Sequence, residues 1–279
     1  RRELKDEQKA LHHMRLAGES KAASRQLRRD AAGLRLPEFD ESNDAAVAAF
    51  AHDSANRPSG PDGKLLPNLM SMSAEEGRQR QELADDEPFI TVVTGLPRSG
   101  TSMMMQMLAN GGMEAWTDGK RVADDDNPRG YYELEDVKRL ATENTWVEHA
   151  QGKAIKVVVQ LLPFLPRAFN YRVIIMDRDV EEVLASQDSM LDRLGNDGAN
   201  LSDQRLTDAY RRQIMQSMRL LKAANIPVLR VVYSQILADP GVYAEQIQSF
   251  LDAELDLEQM MATIEPDLHR HRKGVKASA

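Results

Sequence analysis

Four stretches of the chain are mainly apolar, rich in Val and Ile and of strand length: 89–93, 154–159, 171–176 and 228–232. Helix-forming stretches lie between and after them at 101–108, 180–191, 203–224 and 242–251, and the second of these is plainly amphipathic. Strands without a regular polar alternation are buried on both faces, and strands that alternate with helices pair in parallel. The pattern therefore predicts an α/β fold: a three-layer α/β/α arrangement around a mainly parallel sheet. Ligands of such sheets gather at the carboxyl ends of the strands.

The first part of the chain reads differently. Residues 1–30 are helix-forming, with Leu4, Leu11, Met14 and Leu27 as sparse apolar positions among many charges. Residues 37–63 are acidic and rich in Ala, Ser, Asn and Pro, which marks loop. A short charged helix is predicted over 74–83, where Ser73 and Glu76 have the spacing of a capping box. The domain boundary is placed near Asp85, giving a helical, partly loop-like extension over 1–84 and an α/β unit over 85–279.

Composition narrows the chemistry. The 279 residues carry a net charge of -8 and no cysteine, so disulfides, thiolate metal sites and cysteine nucleophiles are excluded. Residues 1–36 hold ten Lys/Arg against five Asp/Glu, whereas 37–87 hold four against twelve. An acidic whole argues against a nucleic-acid partner. The basic N-terminal helix is read as an arm packing on its own domain or on a second subunit, as in a homo-oligomer, or as the end of a longer helical chain. No apolar run approaches the ~18 residues of a membrane span, and the expected location is the cytoplasm.

The stretch 88–108 joins a strand to a helix through Gly95-x4-Gly100-Thr101-Ser102. Strand, glycine turn and helix in that order bring the loop amides and the helix's unpaired first-turn N–H groups to one point, with Arg98 adding a full positive charge. The site suits an anion such as a phosphate. The spacing nearly matches the nucleotide P-loop, but Thr101 stands where that motif has its phosphate-bridging lysine.

Pro97-Arg-Ser-Gly-Thr-Ser102 resembles the 5′-phosphosulfate loop of the sulfotransferases, which use 3′-phosphoadenosine 5′-phosphosulfate (PAPS) and release 3′-phosphoadenosine 5′-phosphate (PAP). Asn127-Pro-Arg-Gly-Tyr-Tyr-Glu133 is similar to the Asn-Pro-x-Gly-Tyr-x-Glu segment of a bacterial group of these enzymes. Arg178, just after a strand, and Ser186, eight residues on, resemble the pair that binds the 3′-phosphate. Tyr233 to Pro240 is similar to a further family segment, although Ser234 and Gln235 replace its acidic pair. The resemblance covers about 90–251 and implies a P-loop NTPase-like fold. Arg272-Lys273-Gly274 also matches a family tripeptide, but without its surroundings it reads as a solvated tail.

The resemblance implies that Leu96, Pro97, Arg98, Ser99, Gly100, Thr101 and Ser102 hold the 5′-phosphosulfate and that Arg178 and Ser186 hold the 3′-phosphate. Lys156 is the candidate second cation at the bridging oxygen, because a lysine in an apolar strand must find an anion or reach solvent. Val158 occupies the place of the histidine base of the cytosolic enzymes, so the base is expected to be a carboxylate, as in other family members. Glu133 is the first choice, with Asp118 and Glu135 as alternatives. Asp124, Asp125 and Asp126 read as a solvated acidic loop, and the reaction needs no metal. The acceptor is expected to be a polar small molecule, a saccharide or a peptide, bound by loops near 115–136 and 192–206. Two other readings stay open: a P-loop kinase or NTPase, with 173–177 as a Walker B strand ending in Asp177, and a non-catalytic nucleotide-binding scaffold.

Overall fold

The computed structural model describes residues 66–80, 87–121, 123, 127, 130–193 and 203–264. The N-terminal helix over 1–30, the acidic loop over 37–63, the boundary near Asp85, the triple aspartate and the basic tail lie outside them. Four strands, β1 (Ile90–Gly95), β2 (Ala154–Lys156), β3 (Tyr171–Asp177) and β4 (Val228–Val232), form one sheet. Their order is β2-β1-β3-β4, and every pair is parallel. Helix α1 (Ala74–Gln79) precedes the sheet, and α2 (Thr101–Asn110) follows β1. Helices α3 (Val180–Arg193) and α4 (Asp203–Ala223) separate β3 from β4, and α5 (Tyr233–Ala238), α6 (Pro240–Leu251) and α7 (Leu257–Ala262) follow β4.

β1 lies between β2 and β3, and all six of its residues are buried. Successive side chains point to opposite faces of a strand. Ile90 and Val92 join a core with Tyr171, Val173 and the α3 and α4 residues Val183, Leu184, Tyr210 and Leu221. Val93 joins a second core with Ile174, Met176, Val231 and the α2 and α6 residues Met104, Leu108, Ile247 and Leu251. Helices thus cover both faces, and each fully buried apolar side chain contributes about 1.5–3 kcal/mol.

β2 stops at Lys156, three residues short of the predicted strand. The Val157 amide still donates to the Val93 carbonyl at 3.0 Å, but β1 turns away two residues later. From Val159 to Phe164 the chain instead forms a 3-10 helix containing Pro163, which has no N–H to donate to a strand ladder. Val158 is left facing solvent.

The capping box of α1 forms as the spacing predicts, with Ser73 Oγ accepting from the Glu76 amide and Glu76 Oε2 accepting from the Ser73 amide. The helix ends at Gln79, earlier than predicted, because Arg80 turns to donate to the carbonyls of Arg167 and Phe169. Leu69 and Met70 enter the α3/α4-side core, and a Cβ on Gly77 would lie 1.9 Å from the Ala223 carbonyl oxygen. Residues 66–80 therefore pack directly on the sheet unit. No helix of the described residues is long and apolar enough to cross a membrane.

Candidate active site

The β1–α2 loop needs glycine at both ends for steric reasons. Gly95 has φ +153 and Gly100 has φ +101. A Cβ at Gly95 would lie 2.4 Å from Ser99 Oγ and 2.7 Å from the Met176 carbonyl oxygen, and one at Gly100 would lie 2.6 Å from the Tyr233 ring. Such contacts close the position to any other residue without a backbone shift. Gly100 is the N-cap of α2 and supplies no capping side chain, so the first-turn N–H groups and the positive end of the helix dipole lie at the loop. Arg98, between the glycines, is itself left-handed at φ 70.

The loop is braced from α3 and from the end of β3. Arg98 Nε donates to Ser186 Oγ at 3.0 Å, and the Arg98 carbonyl accepts from Arg178 Nη1 at 3.0 Å. The Arg178 and Ser186 pair of the sequence therefore meets through Arg98. Arg178 also donates through Nε to Glu182 at 3.1 Å, and its guanidinium carbon stands 4.5 Å from the Tyr233 ring centroid. Burial pushes the Tyr233 hydroxyl pKa up, while Arg178 and Arg98 pull it back. Gln187 reaches the Pro97 carbonyl at 3.4 Å and accepts from the Tyr210 hydroxyl at 2.7 Å.

The individual loop residues differ in placement. Leu96 is buried in the α3/α4-side core, and its carbonyl accepts from the Ser99 amide at 3.1 Å. Thr101 and Ser102 begin α2 and are partly exposed. The hydroxyls of Ser99 and Thr94 are buried without a hydrogen-bond partner. An unpaired buried hydroxyl costs about 1–3 kcal/mol.

A second group of residues meets at the N-terminus of α2. Lys156, the last residue of β2, donates to the Tyr131 carbonyl, to Ser102 Oγ at 3.4 Å and to Glu133 Oε1 at 3.3 Å. Ser102 Oγ also donates to the Tyr131 carbonyl at 3.2 Å. Arg121 Nη1 donates to Glu133 Oε1 at 2.9 Å, and its guanidinium carbon lies 3.3 Å from the Tyr131 ring centroid. Tyr132 adopts φ 50, a left-handed conformation that is rare for a bulky residue. Strain of this kind persists where surrounding contacts enforce it, and functional sites are where it collects.

Burial pushes the Lys156 pKa below the ordinary lysine value. Glu133 opposes that shift and Arg121 adds to it. The buried lysine has thus found an anion, and the anion is the carboxylate that sequence singled out. Asp118 and Glu135 have other partners: Asp118 accepts from the amides of Lys120 and Glu135, and Glu135 pairs with Lys138 at 3.0 Å. Asp177 accepts from Arg230 Nε at 2.8 Å, across the β3–β4 pair. Among the described residues, no three His, Asp or Glu side chains are grouped to hold a metal ion.

Sequence reasoning missed Arg121, Glu182 and Gln187, and it missed the contact of Tyr233 with Gly100. Only Tyr233 carried a signal, its place in the segment after β4. Comparison of the chain with protein-family models and with curated proteins finds no match.

Proposed function

We propose that this chain has a P-loop NTPase-like fold and acts as a PAPS-dependent sulfotransferase with a carboxylate base. The observation that carries the reading is the Lys156–Glu133 pair, placed on Ser102 at the N-terminus of α2 while Arg98 joins Ser186 and Arg178 on the other side of the loop. The residues fit the donor: a glycine cradle that no Cβ could enter, two arginines and an uncapped helix start all favour an anionic group.

PAPS supplies the sulfuryl group and PAP is its leaving group. Arg98 and the amides and hydroxyls of 99–102 bind the 5′-side, and Arg178 and Ser186 bind the 3′-phosphate. Glu133 accepts the proton of the acceptor hydroxyl as the acceptor oxygen bonds to sulfur and the bond from sulfur to the phosphate oxygen breaks. Lys156 and the α2 N-terminus stabilise the charge that develops on the phosphate. A saccharide, peptide or other polar hydroxyl compound is the acceptor class this reading carries forward.

A P-loop kinase finds less support. It needs a lysine at Thr101 and an aspartate available for magnesium, whereas Asp177 is bonded to Arg230. Calorimetric binding of PAP, ADP and ATP to the wild type, Arg98→Ala and Arg178→Ala tests the reading. Preference for PAP that is lost in Arg178→Ala supports it. Magnesium-dependent ATP binding without that preference overturns it in favour of the kinase, and no nucleotide binding overturns every nucleotide-binding reading, the scaffold included.

A further inference from the structure

Glu133 receives both of its cations on one oxygen. Arg121 and Lys156 donate to Oε1, and Oε2 has no partner among the described residues. A general base must present one lone pair in a fixed direction within hydrogen-bond reach of the proton it takes. Lysine is a compact point charge on a flexible stem and directs a carboxylate poorly, whereas the planar guanidinium of arginine fixes orientation.

Arg121 is itself held. Its guanidinium rests on the ring of Tyr131, two residues before the carboxylate it binds. The carbonyl of that same tyrosine accepts from Lys156 and Ser102. Ring and carbonyl of one residue thus tie the arginine, the lysine and the start of α2 into one assembly. The left-handed Tyr132 separates Tyr131 from Glu133 and lets both turn toward it. Mere neutralisation of Glu133 would not require Arg121, because Lys156 already supplies the charge.

We propose that Arg121 is a positioning residue for the base, holding Glu133 by Oε1 so that Oε2 is the atom offered to the acceptor hydroxyl. This rests on the sulfotransferase reading, in which Glu133 is the base. The hydrogen bond of Arg121 goes to Glu133 and reaches the loop only through Lys156 and Ser102, so its loss is expected to fall on turnover more than on donor affinity.

The test uses the full chain and two readouts: PAP affinity by calorimetry, and turnover of PAPS to PAP and sulfate with water as the acceptor. Wild type, Arg121→Gln, Arg121→Lys, Glu133→Gln and the Arg121→Gln/Glu133→Gln double variant are compared. The expected result is that Arg121→Gln keeps PAP affinity within about twofold but loses turnover on the order of 10–100-fold, the scale of a misplaced catalytic group. Arg121→Lys restores part of the rate, and Arg121→Gln has no further effect once Glu133 is glutamine. Full turnover in Arg121→Gln, or an equal loss in the Glu133→Gln background, overturns the inference alone. A wild type that neither binds PAP nor turns over PAPS overturns the sulfotransferase reading and this inference with it.

Discussion

Arg98 Nε donates to Ser186 Oγ across 3.0 Å, a hydrogen bond between residues 88 positions apart. It fixes a loop that leaves β1 against a helix that leaves β3. A hydrogen bond from a charged group contributes about 1.5–3 kcal/mol when the pair is shielded from water. Ser186→Ala should lower PAP affinity roughly tenfold, about 1.4 kcal/mol, with little change in the unfolding midpoint. Arg98→Ala should cost more, and the double variant should cost less than the sum of the two. Calorimetry on the three variants is the check; strict additivity would mean that the two residues act apart.

Two glycines with similar backbones separate strain from collision. Gly100 and Gly112 have φ +101 and φ +98, but only Gly100 has a neighbour, the Tyr233 ring, where a Cβ would go. Gly112→Ala should cost about 1 kcal/mol from the left-handed backbone alone. Gly100→Ala should cost at least about 2 kcal/mol and should also weaken PAP binding. Urea unfolding of both variants measures the difference, and equal costs would show that the ring gives way freely.

Lys156 sets a pH dependence in which activity and stability move in opposite directions. Its folded-state pKa lies below the ordinary 10.5 because burial disfavours the charge. On the sulfotransferase reading the Lys156 charge stabilises the leaving phosphate, and as pH rises through that lowered value this charge is lost, so turnover should fall before pH 10.5. Between the lowered value and 10.5 the unfolded chain binds more protons than the folded one, so folding stability from this group rises with pH across that window. Stability of the wild type relative to Lys156→Met should therefore increase as turnover declines. Lys156→Arg should move the alkaline fall in rate upward, since guanidinium keeps its proton. A rate that stays flat to pH 10.5 would contradict the assignment of Lys156.

Asp177 offers a test between the kinase and the sulfotransferase readings. Because its carboxylate is bonded to Arg230, Asp177→Asn should leave PAP affinity within about twofold and alter stability by less than about 1 kcal/mol, the usual worth of an exposed pair. Chelation of divalent cations with EDTA should also leave PAP affinity unchanged. A large loss in either experiment would favour a magnesium-dependent nucleotide site.

The parts legible in sequence were those written over a few neighbouring residues. The parallel α/β arrangement followed from apolar strands alternating with helices, and the glycine turn was visible because steric demands at Gly95 and Gly100 leave no other residue. The end of β2 was not legible, since it depends on where β1 turns away. Arg121 on Tyr131 was hidden for another reason. The contact adjoins a turn that contains Tyr132 at φ 50, and no local pattern announces a left-handed aromatic residue. Tyr233 against Gly100 brings together distant positions that share only the carboxyl edge of the sheet.

The Tyr131 carbonyl gives the site a form of mutational insurance. Lys156 and Ser102 are held by a main-chain atom that every amino acid possesses, so no substitution at position 131 can delete it. A side-chain scan would read the burial of the Tyr131 ring and its grip on Arg121, and would miss the carbonyl. The vulnerability lies instead in the turn that aims the carbonyl, at Gly130 with φ 88 and Tyr132 with φ 50. Variation at this turn reaches the cation through backbone shape, leaving every charged side chain in place.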